Sequence, residues 1–169
     1  FFDLDRYGYR SVKAPEQLEA LIEPLLAIPG TKYLFIDEVQ NVAKEVVVTG
    51  INLSAYGKDN GSSLTELMKM LSKYDFAVRL GSLEVGVVSK EFLDATKGIK
   101  RFCPHFHLSL QSGDDRVLKA MNRHYTCDEY YAAVQLIREY YPDAAITTDI
   151  IVGFPCEREE EFENCVAFA

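Results

Sequence analysis

Residues 105–126, HFHLSLQSGDDRVLKAMNRHYT, decide the fold class of this chain. Apolar and polar residues alternate in HFHLSLQS, which is typical of a β-strand whose two faces have different surroundings. The strand ends in the residues QSG, and Asp114-Asp115 then begin a helix. A strand that passes through a short polar loop into a helix is half of a βαβ unit, so this stretch predicts a parallel sheet.

The alternation of strands and helices extends over residues 44–169. We predict strands at 45–49, 78–83, 105–110 and 145–152, and helices near 63–74, 90–97, 115–122, 128–140 and 159–168. Crossover connections between parallel strands are right-handed, so we expect four parallel strands in sequential order with the helices outside. Functional residues are then expected in the loops at the C-terminal ends of the strands.

Composition is that of a globular protein. The chain has 169 residues, of which 48% are hydrophobic and 26% charged, and its formal net charge is −8. This composition excludes collagen, a disordered tail and a disulfide-dense mini-protein. No apolar run approaches the roughly 18 residues of a membrane span. The start, FFDLDRYGYR, is neither a signal peptide nor a transit peptide and lacks Met, so we expect a cytoplasmic piece of a longer chain.

Residues 1–42 form a unit of different character. Pro15 precedes an amphipathic helical stripe, and the apolar run YLFI then ends at Asp37-Glu38, like a buried strand. About eight residues separate this run from the next predicted strand, whereas a parallel crossover needs about a dozen or more. We therefore place a boundary near Val42, between a helix-strand segment at 1–42 and an α/β unit at 43–169.

Three features of the α/β unit leave alternatives open. The glycine-rich loop TGINLSAYGKDNGSS is either a long turn or a cradle for a cofactor. His105 and His107 share one strand face, where they either belong to a metal site that lacks a nearby third ligand or form packing and hydrogen-bonding contacts. Asp149 lies in a predicted strand at a position whose pattern indicates burial, so it needs a partner or a polar cavity.

Four stretches carry a family resemblance: KEVVVTGINLSAYG, RLGSLE, CPHFHLSLQSGDDRVLKAMNRHYT and AAITTDIIVGFP. On these, residues 44–169 resemble the middle of a radical S-adenosylmethionine methylthiotransferase, of the branch that acts on threonylcarbamoyladenosine in tRNA. The resemblance implies an incomplete (β/α) barrel of mostly parallel strands, with S-adenosylmethionine and a [4Fe–4S] cluster as cofactors and tRNA as partner. It places these residues around S-adenosylmethionine: Gly50, Asn52, Ser82, Glu84, Gln111, Arg123, Asp149 and Gly153. Arg123 is the expected partner of the cofactor carboxylate, because a guanidinium fork fits that shape.

The departures from the family bear on activity. The family holds its cluster with a CxxxCxxC loop, and this chain, with cysteines at 103, 127, 156 and 165, has none. We also expect the family's preceding domain and its C-terminal RNA-holding domain to be absent from this chain, and Cys156 stands where the family usually has Gly. We therefore expect a fragment that is inactive alone, without metal ligands or catalytic residues. Open sheet edges also predict self-association.

Residues 1–42 resemble a Walker B segment of a AAA-type bacterial ATPase, in which Asp37 would be oriented towards Mg²⁺ and Glu38 would activate water. The chain contains no GxxxxGK[ST] loop to hold phosphate. An ATPase fragment and a non-catalytic globular chain remain as alternatives to the methylthiotransferase fragment.

Overall fold

The computed structural model describes residues 45–50, 52–57 and 61–169, in which short parallel strands alternate with helices. The predicted unit at 1–42, with Asp37 and Glu38, lies outside these residues. The strands are β1 (Glu45–Val48), β2 (Ala77–Leu80), β3 (Ser82–Leu83), β4 (His105–Leu108) and β5 (Ala145–Thr147). The helices are α1 (Leu64–Leu71), α2 (Lys90–Lys97), α3 (Asp115–Ala120), α4 (Cys127–Tyr140) and α5 (Glu159–Phe168), with 3₁₀ turns at Leu53–Ala55 and Val85–Val87.

All strand pairs in the described part of the chain are parallel and follow the chain order. β1 pairs with β2, and β4 lies between β3 and β5. An isolated parallel bridge between Val78 and Phe102 continues β2 towards the start of β4. The predicted order of parallel strands is therefore confirmed, and the described strands form a two-stranded and a three-stranded parallel sheet rather than a closed barrel.

The strand predicted at 78–83 is divided at Gly81 into β2 and β3. Leu80 and Leu83 are both buried, so the alternation of faces shifts by one residue between them, as at a β-bulge. The Gly81 N–H donates to the Val48 carbonyl at 2.8 Å. A Cβ at Gly81 would lie 2.5 Å from the Thr49 hydroxyl, so this close approach of β1 requires glycine.

The core lies between the sheet and the helices. It contains one face of the strands, with Val78, Leu80, Phe106 and Leu108, and the inner faces of the helices, with Met68, Phe92, Leu93 and Ile137. The opposite strand face carries polar residues, because successive side chains alternate between the two faces. On β4 the polar side chains of His105 and His107 are partly exposed on this face.

Side-chain caps define the helix starts. The Ser63 hydroxyl accepts the Glu66 N–H, Ser89 accepts the Phe92 N–H, and Thr126 with Glu129 forms the predicted capping box. Helix α1 ends earlier than predicted, at Leu71, and β5 ends at Thr147 rather than Val152. No helix in the described ranges is long and apolar enough to span a membrane.

Candidate functional site

A row of polar side chains crosses the open face of β3, β4 and β5. Ser82 is opposite His107, and His107 is opposite Thr147. The Thr147 hydroxyl lies 2.9 Å from Nε2 of His105 and 3.0 Å from Nδ1 of His107. His107 Nε2 lies 3.3 Å from a carboxylate oxygen of Asp149. The Thr147 hydroxyl thus joins the two imidazoles, and the Asp149 carboxylate lies beside His107.

The contacts with Thr147 decide between the two interpretations of the histidine pair. Both imidazoles contact a threonine hydroxyl, so the structure shows the hydrogen-bonding alternative. No three His, Cys, Asp or Glu side chains in the described ranges could hold a metal ion together. His105 Nδ1 is buried and has no hydrogen-bond partner among those residues.

The expectation that Asp149 is buried is wrong. The expectation that Asp149 has a partner is met by His107. The Asp149 side chain is 74% exposed. Regular strand β5 ends two residues earlier, and Asp149 lies on the polar face with Thr147, so the apolar residues around it do not cover it. The sequence pattern of an apolar strand was misleading because this face of the sheet is open.

The glycine-rich loop after β1 packs against the end of β3. The Asn52 side chain accepts the Ala55 N–H at 3.1 Å and so caps the 3₁₀ turn. The Ser54 hydroxyl accepts the Glu84 N–H at 2.9 Å, which ties the loop to Glu84. A Cβ at Gly50 would have only the Leu53 nitrogen, at 4.0 Å, as a neighbour, so the described part of the loop leaves Gly50 accessible.

Glu84 and Arg123 line one cleft of about 470 Å³. Its apolar wall comes from the Val85–Val87 turn and from α4, through Val85, Val88, Ala132, Ala133 and Leu136. A carboxylate and a guanidinium beside an apolar wall match a molecule with a zwitterionic amino-acid group and an apolar part. This donor set fits S-adenosylmethionine, the cofactor that the family resemblance implies.

The end of α3 and a tyrosine place Arg123 at the cleft. Asn122 has φ of 57°, the left-handed conformation common at helix C-termini, and the Arg123 N–H returns to the Leu118 carbonyl at 2.9 Å. The Tyr125 hydroxyl lies 2.7 Å from the Ser109 carbonyl oxygen, which holds the loop against β4. Burial raises the pKa of Tyr125, so this hydroxyl stays protonated as a donor.

Gln111 and Gly153 lie beyond the ends of β4 and β5. Backbone hydrogen bonds connect the two segments there, after the regular strands have ended. Gln111 has φ of 71°, donates its N–H to the Asp149 carbonyl at 3.0 Å and accepts the Ile151 N–H at 2.9 Å. The Gly153 N–H donates to a Glu157 carboxylate oxygen at 2.5 Å. The other oxygen of Glu157 is buried without a partner in the described part of the chain.

The sequence-predicted residues therefore fall into two groups. Glu84 and Arg123 line the cleft, and Gly50 and Asn52 belong to the loop that Ser54 joins to Glu84. Ser82 lies in β3, and Gln111, Asp149 and Gly153 follow the regular ends of β4 and β5. Sequence reasoning missed two polar contacts, His107 with Asp149 and Ser54 with Glu84. Strand alternation could have indicated the first, because it places His107 on the polar face of β4.

No three cysteines come together as possible metal ligands in the described residues. Cys156 is exposed, Cys165 is buried, and Cys103 and Cys127 are partly buried at other elements. Cys165 Sγ accepts the Gly113 N–H at 3.1 Å, so it has a structural contact. Burial raises the pKa of the Cys127 thiol to about 12, which disfavours the thiolate that iron requires. These residues do not fit a [4Fe–4S] cluster.

Comparison with known proteins identifies relatives on most of the chain. The family profile "Radical SAM superfamily" matches residues 10–169. This match begins upstream of Val42, so the domain boundary proposed there stays a prediction. The "Threonylcarbamoyladenosine tRNA methylthiotransferase MtaB" of Thermotoga maritima is 48% identical over 132 residues, covering 77% of this chain and 30% of the relative. The Aquifex aeolicus protein of the same name is 45% identical over 127 residues, covering 74% of this chain and 31% of the relative.

Two further relatives extend the comparison. A "tRNA-2-methylthio-N(6)-dimethylallyladenosine synthase" of Caldicellulosiruptor saccharolyticus is 40% identical over 137 residues, covering 76% of this chain and 29% of the relative. The solved structure of the "Cobalamin-dependent S-adenosylmethionine radical enzyme OxsB" resembles the chain with a TM-score of 0.57 and 11% identity, covering 76% of this chain and 19% of that one. The chain thus spans roughly a third or less of the curated relatives it matches, and the OxsB likeness supports the fold alone.

Proposed function

The chain belongs to the radical SAM superfamily, and from this premise we propose that it is the central part of a methylthiotransferase acting on threonylcarbamoyladenosine in tRNA. The observation that carries the proposal is the 48% identity to the Thermotoga maritima protein of that name, against 42% for the dimethylallyladenosine synthase of Thermotoga petrophila. The ATPase alternative rests on residues 1–42 and has no support from the described residues.

We propose that S-adenosylmethionine, which supplies the methyl group and the radical chemistry of this family, is held by the two groups of residues at the strand ends. Arg123 would pair with its carboxylate and Glu84 with its ammonium group, since both line the cleft. Ser54 keeps Glu84 in place through the Glu84 backbone N–H. Asp149, oriented by His107, offers a carboxylate oxygen to hydroxyl or amino donors from the open face of the sheet.

We propose that the chain by itself assembles no stable [4Fe–4S] cluster and has no methylthiotransferase activity. The sequence has no CxxxCxxC loop, and in the described ranges no three of its cysteines lie close enough to hold a metal ion together. The test is anaerobic reconstitution with iron and sulfide, followed by desalting and an iron count. We expect iron far below the amount for one cluster. Near-stoichiometric iron with reductive cleavage of S-adenosylmethionine would contradict the proposal.

Two further properties belong to the same proposal. We propose that tRNA is the substrate of the complete enzyme, in the cytoplasm. We also propose that the isolated chain self-associates, because the two described sheets have unpaired strand edges, among them those of β1 and β5. Light scattering over a dilution series should show concentration-dependent oligomers. A clean monomer at high concentration and moderate salt would count against the self-association.

The test of the function is a chimera. The chain should replace its aligned segment in the Thermotoga maritima relative, and the chimera should be incubated with tRNA carrying threonylcarbamoyladenosine. We expect the 2-methylthio nucleoside to be found by mass spectrometry. An Arg123→Ala chimera, which loses the guanidinium from the cleft, should form little or none of this product.

The substrate branch is decided with a second tRNA, one that carries dimethylallyladenosine. Activity on this tRNA alone would assign the chain to the other branch. A folded chimera that modifies neither tRNA, while the parent enzyme is active, would refute the function. Cofactor affinity measured on the same chimera separates a binding defect from a failure of tRNA recognition.

A further inference from the structure

Glu161, on the first turn of α5, is a buried carboxylate held by two arginines from different elements. Its side chain is only 2% exposed. The Arg116 guanidinium makes a two-pronged contact with both carboxylate oxygens, and the Arg158 side chain bonds to one of them at 2.7 and 3.0 Å. A buried carboxylate needs such charged partners, so the three side chains act as a unit.

The two arginines differ in one contact. Arg116 also donates from Nη2 to the carbonyl oxygen of Cys156 at 2.7 Å. In the described ranges the Arg158 side chain bonds to Glu161 and to no carbonyl of the turn at residues 153–157. Arg116 therefore connects α3 to this turn directly, while Arg158 only helps to neutralise Glu161.

The turn at residues 153–157 has few other constraints. Gly153 has φ of 75° and Cys156 has φ of 69°, and a Cβ at Gly153 would have no neighbour within 4 Å. Glu157 caps the N–H groups of Gly153 and Phe154 from within the turn itself. A turn that is held mainly by its own side chain depends on outside contacts for its position relative to β4.

The loop that precedes α3, the helix that carries Arg116, is itself fixed to α5. The Gly113 N–H donates to Cys165 Sγ at 3.1 Å, and the Asn164 side chain donates to Asp114 at 2.9 Å. Gln111, at the start of this loop, is bonded to the backbone of residues 149–151. The polar ends of β4 and β5 are consequently connected through α5, with Arg116 as the link to the turn.

We propose that Arg116 is a positioning residue for the ligand site: anchored by Glu161, it holds the Cys156 carbonyl and so sets where Gly153 and the rest of the turn lie beside Gln111. The part of this inference that concerns S-adenosylmethionine rests on the proposed function. The part that concerns the turn does not.

The test compares Arg116→Gln with Arg158→Gln in the full chain. Both variants remove one guanidinium from Glu161, but only Arg116→Gln removes the bond to Cys156. Hydrogen exchange followed by mass spectrometry should show faster exchange at Gly153 and Phe154 in Arg116→Gln, by about tenfold for one charge-assisted hydrogen bond. We expect these amides to be unchanged in Arg158→Gln. Urea unfolding of each variant separates this local effect from global stability.

A second variant keeps the test decisive if Arg116→Gln fails to fold. Arg116→Lys retains a positive charge near Glu161, but a single ammonium group cannot contact both the carboxylate and the Cys156 carbonyl as the guanidinium does. This variant should therefore still raise the rate of hydrogen exchange in the turn. Equal exchange at Gly153 in all variants and the parent chain, or equal increases in the Arg116 and Arg158 variants, would overturn the proposal.

Equilibrium dialysis with radiolabelled S-adenosylmethionine adds a functional readout. We expect affinity to fall about tenfold in Arg116→Gln and to change little in Arg158→Gln. Equal affinities in the two variants, with the parent chain binding, would overturn the role of Arg116 at the site. No binding by the parent chain would instead contradict the proposed cofactor site, and the exchange measurement alone would then decide whether Arg116 positions the turn.

Discussion

Replacement of Gly113 by alanine should loosen the contact between α5 and the loop that follows β4. A Cβ at this position would lie 2.8 Å from both the Cys165 Cα and the Phe168 Cβ, and 3.1 Å from the Cys165 carbonyl oxygen. Carbon atoms in favourable contact are about 3.5–4.0 Å apart, so α5 would have to move by roughly 1 Å. Gly113 is not among the positive-φ residues, and the effect is therefore one of packing rather than of backbone strain.

The magnitude follows from two opposing effects. Overpacking of this kind costs about 1–3 kcal/mol. Alanine also lowers the conformational entropy of the unfolded chain, and this offsets about 0.4–1 kcal/mol of the overpacking cost. The net loss in the free energy of unfolding should be about 1–2 kcal/mol, and with a urea slope of about 2 kcal/mol/M the midpoint should fall by roughly 0.5–1 M.

The measurement is urea unfolding followed by circular dichroism, with Gly86→Ala as matched control. A Cβ at Gly86 would have no heavy atom within 4 Å, and Gly86 is also not among the positive-φ residues. Gly86→Ala should leave stability unchanged or raise it by up to about 1 kcal/mol. The packing argument is refuted if Gly113→Ala is as stable as the parent chain, or if both variants shift the midpoint equally.

Three further predictions concern Cys156, Glu161 and Cys127. Because Cys156 has φ of 69°, Cys156→Gly should be more stable than Cys156→Ala by about 1 kcal/mol in urea unfolding, and the reverse order would contradict strain at this residue. The guanidinium groups of Arg116 and Arg158 hold the pKa of Glu161 well below its usual 4.5. Its contribution to stability is therefore present above about pH 4.5 and is lost as the pH falls further, so Glu161→Gln should weaken the acid dependence, and an unaltered pH profile would count against it. Since burial raises the pKa of the Cys127 thiol to about 12, iodoacetamide at about pH 8 should alkylate exposed Cys156 before Cys127, as peptide mass spectrometry can check, and equal rates would disprove this order.

The order of elements could be predicted because its causes are local. The caps at Ser63 and Thr126 and the apolar stripe of α1 depend on residues three or four positions apart, which a sequence displays directly. The parallel order of the strands follows from the length of the intervening helices and from the handedness of the crossover. These parts of the prediction agree with the structure from β1 to α5.

Strand ends were less predictable, because contacts between strands determine them. The apolar runs at 78–83 and 145–152 indicated two long strands. Gly81, which must fit against Thr49 of the neighbouring strand, interrupts the first. The second leaves regular pairing after Thr147, beside the positive-φ residue Gln111. Neither contact is visible in the segment it shortens.

By itself the sequence determined the parallel α/β class and which strand-end residues are polar, because side-chain periodicity is a property of neighbouring residues. The family came from the resemblance of four sequence stretches. Only the tertiary structure decided which of those polar residues meet. The contact of His107 with Asp149 joins β4 to the residues that follow β5, and the contact of Arg116 with Glu161 joins residues 45 positions apart. Such pairs form when strands and helices pack, and their energy depends on distance and burial in the folded chain, which no local pattern encodes.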